Sequence, residues 1–188
     1  RRCRYNCKHC RASAGPAGDY ELSTKQCKKI IASIAEFAKP ILVLTGGEPM
    51  ERPDLHEIIK YAKEKGLSVV MATCGYLLDA DETVKLKKAG VSALSFSIDG
   101  ATAETHDHFR DTTGAFDTVI KAAETARNAK MPFQINTTIH KQNAGEIIGI
   151  AELAKRLGAT CFNTFMLVPT GRAAEMDDAV LDPVQYEY

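Results

Sequence analysis

The chain has 188 residues, with 24 Lys plus Arg against 24 Asp plus Glu and 45% hydrophobic residues, so its formal net charge is zero. That length fits one domain over residues 1–188 with a sizeable core, and the balanced charge excludes an extended basic surface for nucleic acid. No apolar run approaches the roughly 20 residues of a membrane span, nothing resembles a signal peptide, and the six cysteines fit a reducing, cytoplasmic setting.

The first element is a loop. Cys3, Cys7 and Cys10 stand in C-R-Y-N-C-K-H-C, a CxxxCxxC spacing that brings three thiolates to one point. A [4Fe–4S] cluster takes one ligand per iron, so three cysteines leave one iron open to a substrate. A structural zinc site is the competing reading, but its closed tetrahedron needs a fourth protein ligand. His9 lies between two of the cysteines and is too constrained to join them. Cys27, Cys74 and Cys161 are distant in sequence, although folding could bring one near. The irregular spacings speak against a disulfide framework.

Strands and helices then alternate. Ser23 with Gln26 is a capping-box signature, and the helix behind it carries Cys27, Ile30, Ile31, Ile34 and Phe37 as one apolar stripe. Residues 41–45 read as a strand ending at Gly46-Gly47. Pro53 and Asp54 open a second helix with Leu55, Ile58, Ile59 and Ala62 inward and Gly66 as its C-terminal cap. Strand 68–73, a short helix over 81–89 and strand 93–98 follow. Helix 115–129 presents Phe116, Val119, Ile120 and Ala123 on one face. Strand 133–139 leads to helix 145–157, with Ile147, Ile150, Ala151, Ala154 and Leu157, and strand 161–168 is closed by Pro169. The strands read as buried rather than one-faced. Such repeats imply an α/β fold, a parallel sheet with helices outside. The cysteine loop stands where a loop after an earlier strand would, and that strand would complete six in an open partial barrel. Arg1 directly ahead of the loop, and Tyr188 just after a Pro, make the chain read as part of a longer protein.

In parallel sheets the active groups gather at the C-terminal strand ends. Gly46 and Gly47 there would let backbone approach a ligand, and Glu48 would place a carboxylate at the rim, suited to an ammonium. Ser97 and Asp99 share a face and offer a hydroxyl and a carboxylate to vicinal ribose hydroxyls; a plain Asx turn is the competing reading. Arg110, in the loop after strand 93–98, could hold a carboxylate in a fork, with His106 and His108 at the surface beside it.

Together, Cys3-x3-Cys7-x2-Cys10 and the Gly46-Gly47-Glu48-Pro49 that follows the next strand resemble the radical S-adenosylmethionine (SAM) enzymes over residues 3–172. The resemblance implies a partial (β/α)6 barrel of which the first strand is absent here. It implies that Cys3, Cys7 and Cys10 hold three irons of a [4Fe–4S] cluster whose fourth iron is chelated by SAM. Glu48, with Gly46 and Gly47, would bind the methionine ammonium, and His9 would present its backbone to adenine. Ser97 and Asp99 would face the ribose or the methionine carboxylate, Arg110 would neutralise that carboxylate, and Leu167 and Val168 would pack on adenine. Thr73-Cys74-Gly75 departs from the T-N-G often seen there. An electron from a flavodoxin or ferredoxin would enter the bound sulfonium, yielding methionine and a 5′-deoxyadenosyl radical that takes hydrogen from a substrate.

S-I-D-G, H-D-x-F-R and G-A-F-D look like the branch with a cysteine-rich, SPASM-type C-terminal extension, absent from this chain. Leu167-Val168-Pro169-Thr170-Gly171-Arg172 looks most like its alternative haem biosynthesis members, which act on tetrapyrrole side chains. Peptide maturases are the second reading. A non-catalytic zinc or iron–sulfur interaction module is the reading from another class.

Overall fold

The computed structural model describes residues 2–15 and 21–187. After the cysteine loop come α1 (Thr24–Phe37), β1 (Ile41–Leu44), α2 (Leu55–Glu64), β2 (Ser68–Thr73), α3 (Ala80–Ala89), β3 (Val91–Ser97), α4 (Ala103–Arg110), α5 (Ala115–Asn128), β4 (Phe133–Ile139), α6 (Ile147–Leu157), β5 (Cys161–Met166) and α7 (Pro183–Glu187). The five strands pair in the order β1-β2-β3-β4-β5, all parallel, in a curled half-barrel. The sixth strand, expected ahead of residue 1, and the C-terminal extension lie outside the described residues.

Local chemistry sets the helices. Ser23 caps α1, its hydroxyl accepting from the Gln26 amide while the Gln26 side chain accepts from the Ser23 amide at 2.8 Å. Asp79 and Thr102 cap α3 and α4 in the same sense. α5 starts at Gly114, which has no side chain to cap with. Asp107 on α4 does it instead, accepting from the Gly114 and Phe116 amides at 2.6 and 2.8 Å. α2 shows the expected inward face: Leu55, Ile58, Ile59 and Ala62 are all buried.

The core lies between the sheet and its helices. Met71, Leu94, Phe96, Phe133 and Ile135 of the central strands are buried against Leu86, Val119, Ala123 and Ile150. Phe96 and Phe133 meet edge to face at 5.5 Å. The other sheet face differs from the expectation of fully buried strands. β2 and β4 alternate buried with half-buried positions, and β5 is mostly exposed. Ser95, Gln134, Asn136 and Asn163 form a hydrogen-bonded polar row across β3, β4 and β5 on that face. A curled sheet buries its helix-facing side in hydrocarbon and keeps a hollow for polar contacts on the other.

Three further expectations are corrected. α4 was not foreseen, so Arg110 closes a helix instead of lying in a loop. In α1 only Ile31 and Ala35 are buried, while Phe37 is 93% exposed and Ile30 is also exposed, so among the described residues the expected apolar stripe is only partly covered. β5 ends at Met166, two residues short of the expected limit.

Candidate metal centre and cofactor site

The cysteine loop is held from both edges of the sheet. Its base is closed by a bridge between Arg2 and Gly15 and by the Cys3 amide on the Gly15 carbonyl at 2.9 Å. The Glu48 amide, past β1, donates to the Arg2 carbonyl at 2.8 Å. From the segment after β5, Arg172 donates its amide to the Cys10 carbonyl at 3.1 Å, Nε to the Cys7 carbonyl at 2.9 Å and Nη1 to the Ala14 carbonyl. Gly171 lies beneath the loop at φ +63°, where a Cβ would press on the Cys10 and Arg11 carbonyl oxygens. The loop therefore seats on this segment only with glycine there.

All three loop cysteines are free thiols and pack around Tyr5 and Ala115. Each sulfur faces a donor. Cys10 Sγ accepts from the Ala14 amide at 3.3 Å, Cys7 Sγ meets Arg110 Nη1 at 3.9 Å, and Cys3 Sγ faces the Tyr76 hydroxyl at 4.0 Å. The neighbouring Cys74 thiol, opposed by burial, brings the Cys3 thiol down to about 6. Burial pushes the Cys7 thiol up, against the pull of Arg110. Three thiols, each offered a hydrogen bond and with no carboxylate or imidazole among them, suit a thiolate-bound iron–sulfur cluster. Among the described residues no three His, Cys, Asp or Glu side chains stand preset at metal-ligand positions. Free thiols gain nothing by converging until a cation draws them together.

Glu48 is not at an open rim: it is 3% exposed. Oε1 accepts from the Thr73 hydroxyl at 2.8 Å and the Met50 amide at 3.1 Å, and Oε2 from the Cys74 amide at 2.6 Å. Burial raises its pKa, and those donors restrain the rise. Gly46 has φ +145° with open space where a Cβ would be, so its backbone stays bare beside this carboxylate. Gly47 is half-buried next to it.

Asp99 and Arg110, expected to face a nucleotide, face each other. Asp99 is fully buried, and its Oδ2 accepts from Arg110 Nε at 2.8 Å and Nη2 at 2.6 Å. Its Oδ1 accepts from the Thr138 amide at 2.7 Å. Burial alone would raise this carboxyl, but Arg110, His9 and His106 hold it down to about 2. Both carboxylate oxygens are thus engaged within the protein, and only the half-buried Ser97 presents a group on that strand end. His106 is buried, contrary to the surface reading. Its Nδ1 accepts from the Asp99 amide at 3.0 Å, and burial with the Arg110 charge holds it neutral at about 4. His108 is exposed, as expected.

His9 lies flat on Phe109, with ring centroids 3.9 Å apart, and Phe109 lies flat on His140 at the same distance. Burial, with the Arg110 charge, lowers His9 to about 4. His9 Nδ1, His140 Nε2 and Arg172 Nη2 are buried polar atoms without a protein partner, around the loop and its supporting stack. Such atoms mark a place completed by something other than this chain. Leu167 is buried with Phe109 and Ala173, whereas Val168 is exposed. Thr73 and Arg172 were noted at strand ends but given no role from sequence, and Tyr76 and the His140–Phe109 stack were missed. The place of Gly171-Arg172 just past a strand end was the signal that could have given Arg172 its role.

Residues 1–154 match the radical SAM superfamily. The chain is 50% identical over 188 residues to an AdoMet-dependent heme synthase of Methanosarcina barkeri, covering 98% of this chain and 53% of that protein. It is 34% identical over 177 residues to the mycofactocin maturase MftC of Mycolicibacterium smegmatis, covering 94% of this chain and 45% of that protein. Among solved structures, Streptococcus suis SuiB bound to S-adenosylmethionine superposes with a TM-score of 0.77 at 17% identity, over 89% of this chain and 39% of SuiB. The chain thus spans about half the length of the curated relatives it matches.

Proposed function

Because the chain belongs to the radical SAM superfamily, whose enzymes use a [4Fe–4S] cluster and S-adenosylmethionine, we propose that it is the core of an enzyme that generates a 5′-deoxyadenosyl radical and turns it on a tetrapyrrole in haem biosynthesis. The observation that carries this is the seating of the three-cysteine loop, packed around Tyr5 and Ala115, beside a buried carboxylate at the strand ends. Cys3, Cys7 and Cys10 would hold the cluster. The bare backbone of Gly46 and Gly47, with the Glu48 carboxylate, would receive the methionine ammonium. Ser97 would meet the ribose, and His9 and Leu167 would border the adenine. The cluster, when bound, supplies one electron to the sulfonium so that its C–S bond breaks.

The chain's own residues hold this chemistry in place. Arg172 and Gly171 fix the loop, and the Asp99–Arg110 pair sits behind Cys7 and packs the end of β3 against α4. The apolar surroundings of Tyr5 and Ala115 keep water from the Cys7 thiol. A tetrapyrrole is favoured over a peptide because the heme synthase is 50% identical and the maturase 34%. An electron donor such as a flavodoxin or ferredoxin fits the loop's charge: residues 2–15 carry Arg2, Arg4, Lys8 and Arg11 and no acid. Among the described residues no helix is long and apolar enough to cross a membrane, and we place the protein in a reducing cytoplasm.

The test is anaerobic reconstitution of the full-length protein, followed by dithionite and SAM with either a porphyrin carrying propionates or a candidate peptide. 5′-Deoxyadenosine that rises with the porphyrin and not with the peptide supports the proposal. Release that responds only to the peptide transfers it to a maturase. No release at all, from a protein that binds zinc or an inert cluster, replaces the enzyme by an interaction module.

A further inference from the structure

We propose that Asn136 and Asn163 are specificity-determining residues: their side-chain amides hold a carboxylate of the substrate in the hollow of the half-barrel. The inference rests on the tetrapyrrole reading above and deepens it, because it names the groups that read the acid side chains of that substrate.

Asn136 on β4 stands in register with Ser97 on one side and Asn163 on the other, so the polar row begins beside the residue given to the ribose. A radical formed at the strand ends has to arise in contact with the hydrogen it takes, which brings the substrate to this face. The face turns away from the helices. Leu42 and Leu44 of β1 pack into the helix-side core, and so does Phe162 of β5. Alternation along each strand then puts Val43, Asn163 and Phe165 on the hollow side, where Val43 and Phe165 are exposed. The amide row thus runs between apolar groups on the two outer strands. None of the five strands carries a charged residue.

A side-chain amide has two N–H hydrogens and a hydroxyl has one. Asn136 Nδ2 donates to Ser95 Oγ at 2.8 Å, and Asn163 Nδ2 donates to Asn136 Oδ1 at 3.0 Å, so each spends one hydrogen in the row and keeps one. Ser95 Oγ accepts from Asn136 and from Gln134 and keeps its own proton. The amide oxygens are already engaged: Asn136 Oδ1 takes Gln134 and Asn163, and Asn163 Oδ1 takes the Cys161 thiol at 3.2 Å. The centre of the row therefore offers donors. An ionised carboxylate only accepts, and its charge makes such bonds about twice as strong as those to a neutral acceptor. An amine, alcohol or amide would bring hydrogens of its own to oxygens that are taken. A tetrapyrrole has both parts that fit, an apolar ring for Val43 and Phe165 and a propionate for the row.

The experiment compares wild type, N136D and N163D as full-length proteins reconstituted anaerobically. Each receives an iron porphyrin carrying propionates, or the same porphyrin with those groups as primary amides, and kcat/KM is measured for both from 5′-deoxyadenosine release. In N136D the new carboxylate keeps the bonds from Gln134 and Asn163 and takes the Ser95 proton, so the row re-forms without its spare hydrogens. N163D lies on the mostly exposed β5 and carries the test if N136D folds poorly. The expected result is a wild type that prefers the acid to the amide by about tenfold or more, and variants in which that preference is lost or reversed because the acid alone suffers. A wild type that treats acid and amide alike overturns the proposal and leaves the tetrapyrrole reading standing. Variants that lose acid and amide in equal proportion also overturn it, and make the row a support for the sheet or the cofactor. A wild type that releases no 5′-deoxyadenosine in response to either porphyrin overturns the tetrapyrrole reading and this proposal with it.

Discussion

Replacing Arg110 with methionine removes the partner of a carboxylate that has no access to solvent. Asp99 would keep the Thr138 amide but lose both guanidinium bonds, at 2.6 and 2.8 Å. Removing one member of a buried ion pair costs about 3–5 kcal/mol, most of it the penalty of leaving the other charge unpaired. In a chain of this size each kcal/mol moves the melting temperature by about 2–4 °C, so R110M should melt roughly 10 °C lower. D99N should behave alike, since it leaves the buried guanidinium without a counter-charge and its NH2 must face either Arg110 or the Thr138 amide, both donors. The D99N/R110M double variant removes both charges and should recover more than half of the single-variant loss. Thermal unfolding of the cluster-free protein, followed by circular dichroism, measures all four corners. Additive losses in the double variant would refute the reasoning, because they would mean that neither charge depends on the other.

The same pair sets an acid limit. The folded pKa of Asp99, about 2, lies below its ordinary 3.8. Its contribution is therefore complete above about pH 4 and is lost as pH falls from about 4 to 2, removing about 2 kcal/mol that D99N should not lose; unfolding midpoints across that range check it. E48Q should keep its iron but bind SAM about 10- to 100-fold more weakly, since one charge-assisted contact to an ammonium is worth about 1.5–3 kcal/mol; calorimetric titration reads the affinity, and loss of iron instead would contradict the role given to Glu48. G171A should lower the iron taken up on reconstitution, because the residue is left-handed and its new methyl would press on the Cys10 and Arg11 carbonyls. G145A, where the space is open, is the control and should match wild type in iron assays.

The strand ladder and α2 were legible because their signals are local. Apolar runs bounded by glycine or proline mark the strands, and every inward position predicted for α2 is buried. α4 was not, because A-E-T-H-D-H-F-R has no apolar period. It is fixed by charge and shape instead: Arg110 to Asp99, Asp107 to the start of α5, and Phe109 between two imidazoles. The Phe37 stripe misled for the opposite reason. The helical period is present, but among the described residues nothing covers Phe37. At the site, Cys3, Cys7, Cys10 and Glu48 could be named because two short motifs carry them. The supports could not, since Arg172 lies 165 residues from the Cys7 carbonyl it holds and Cys74 lies beyond both motifs. Such partners are set by which strand ends neighbour one another, and only the folded sheet specifies that.

Everything in the account depends on a cluster with three protein thiolates and one iron left for a small molecule. The direct measurement is the paramagnetic resonance spectrum of the reduced full-length protein with SAM carrying ¹⁵N in its methionine amine. The account predicts altered g-values on addition and a hyperfine coupling from the labelled nitrogen to the cluster. A spectrum indifferent to SAM, with no nitrogen coupling, would show that iron already closed and would contradict it.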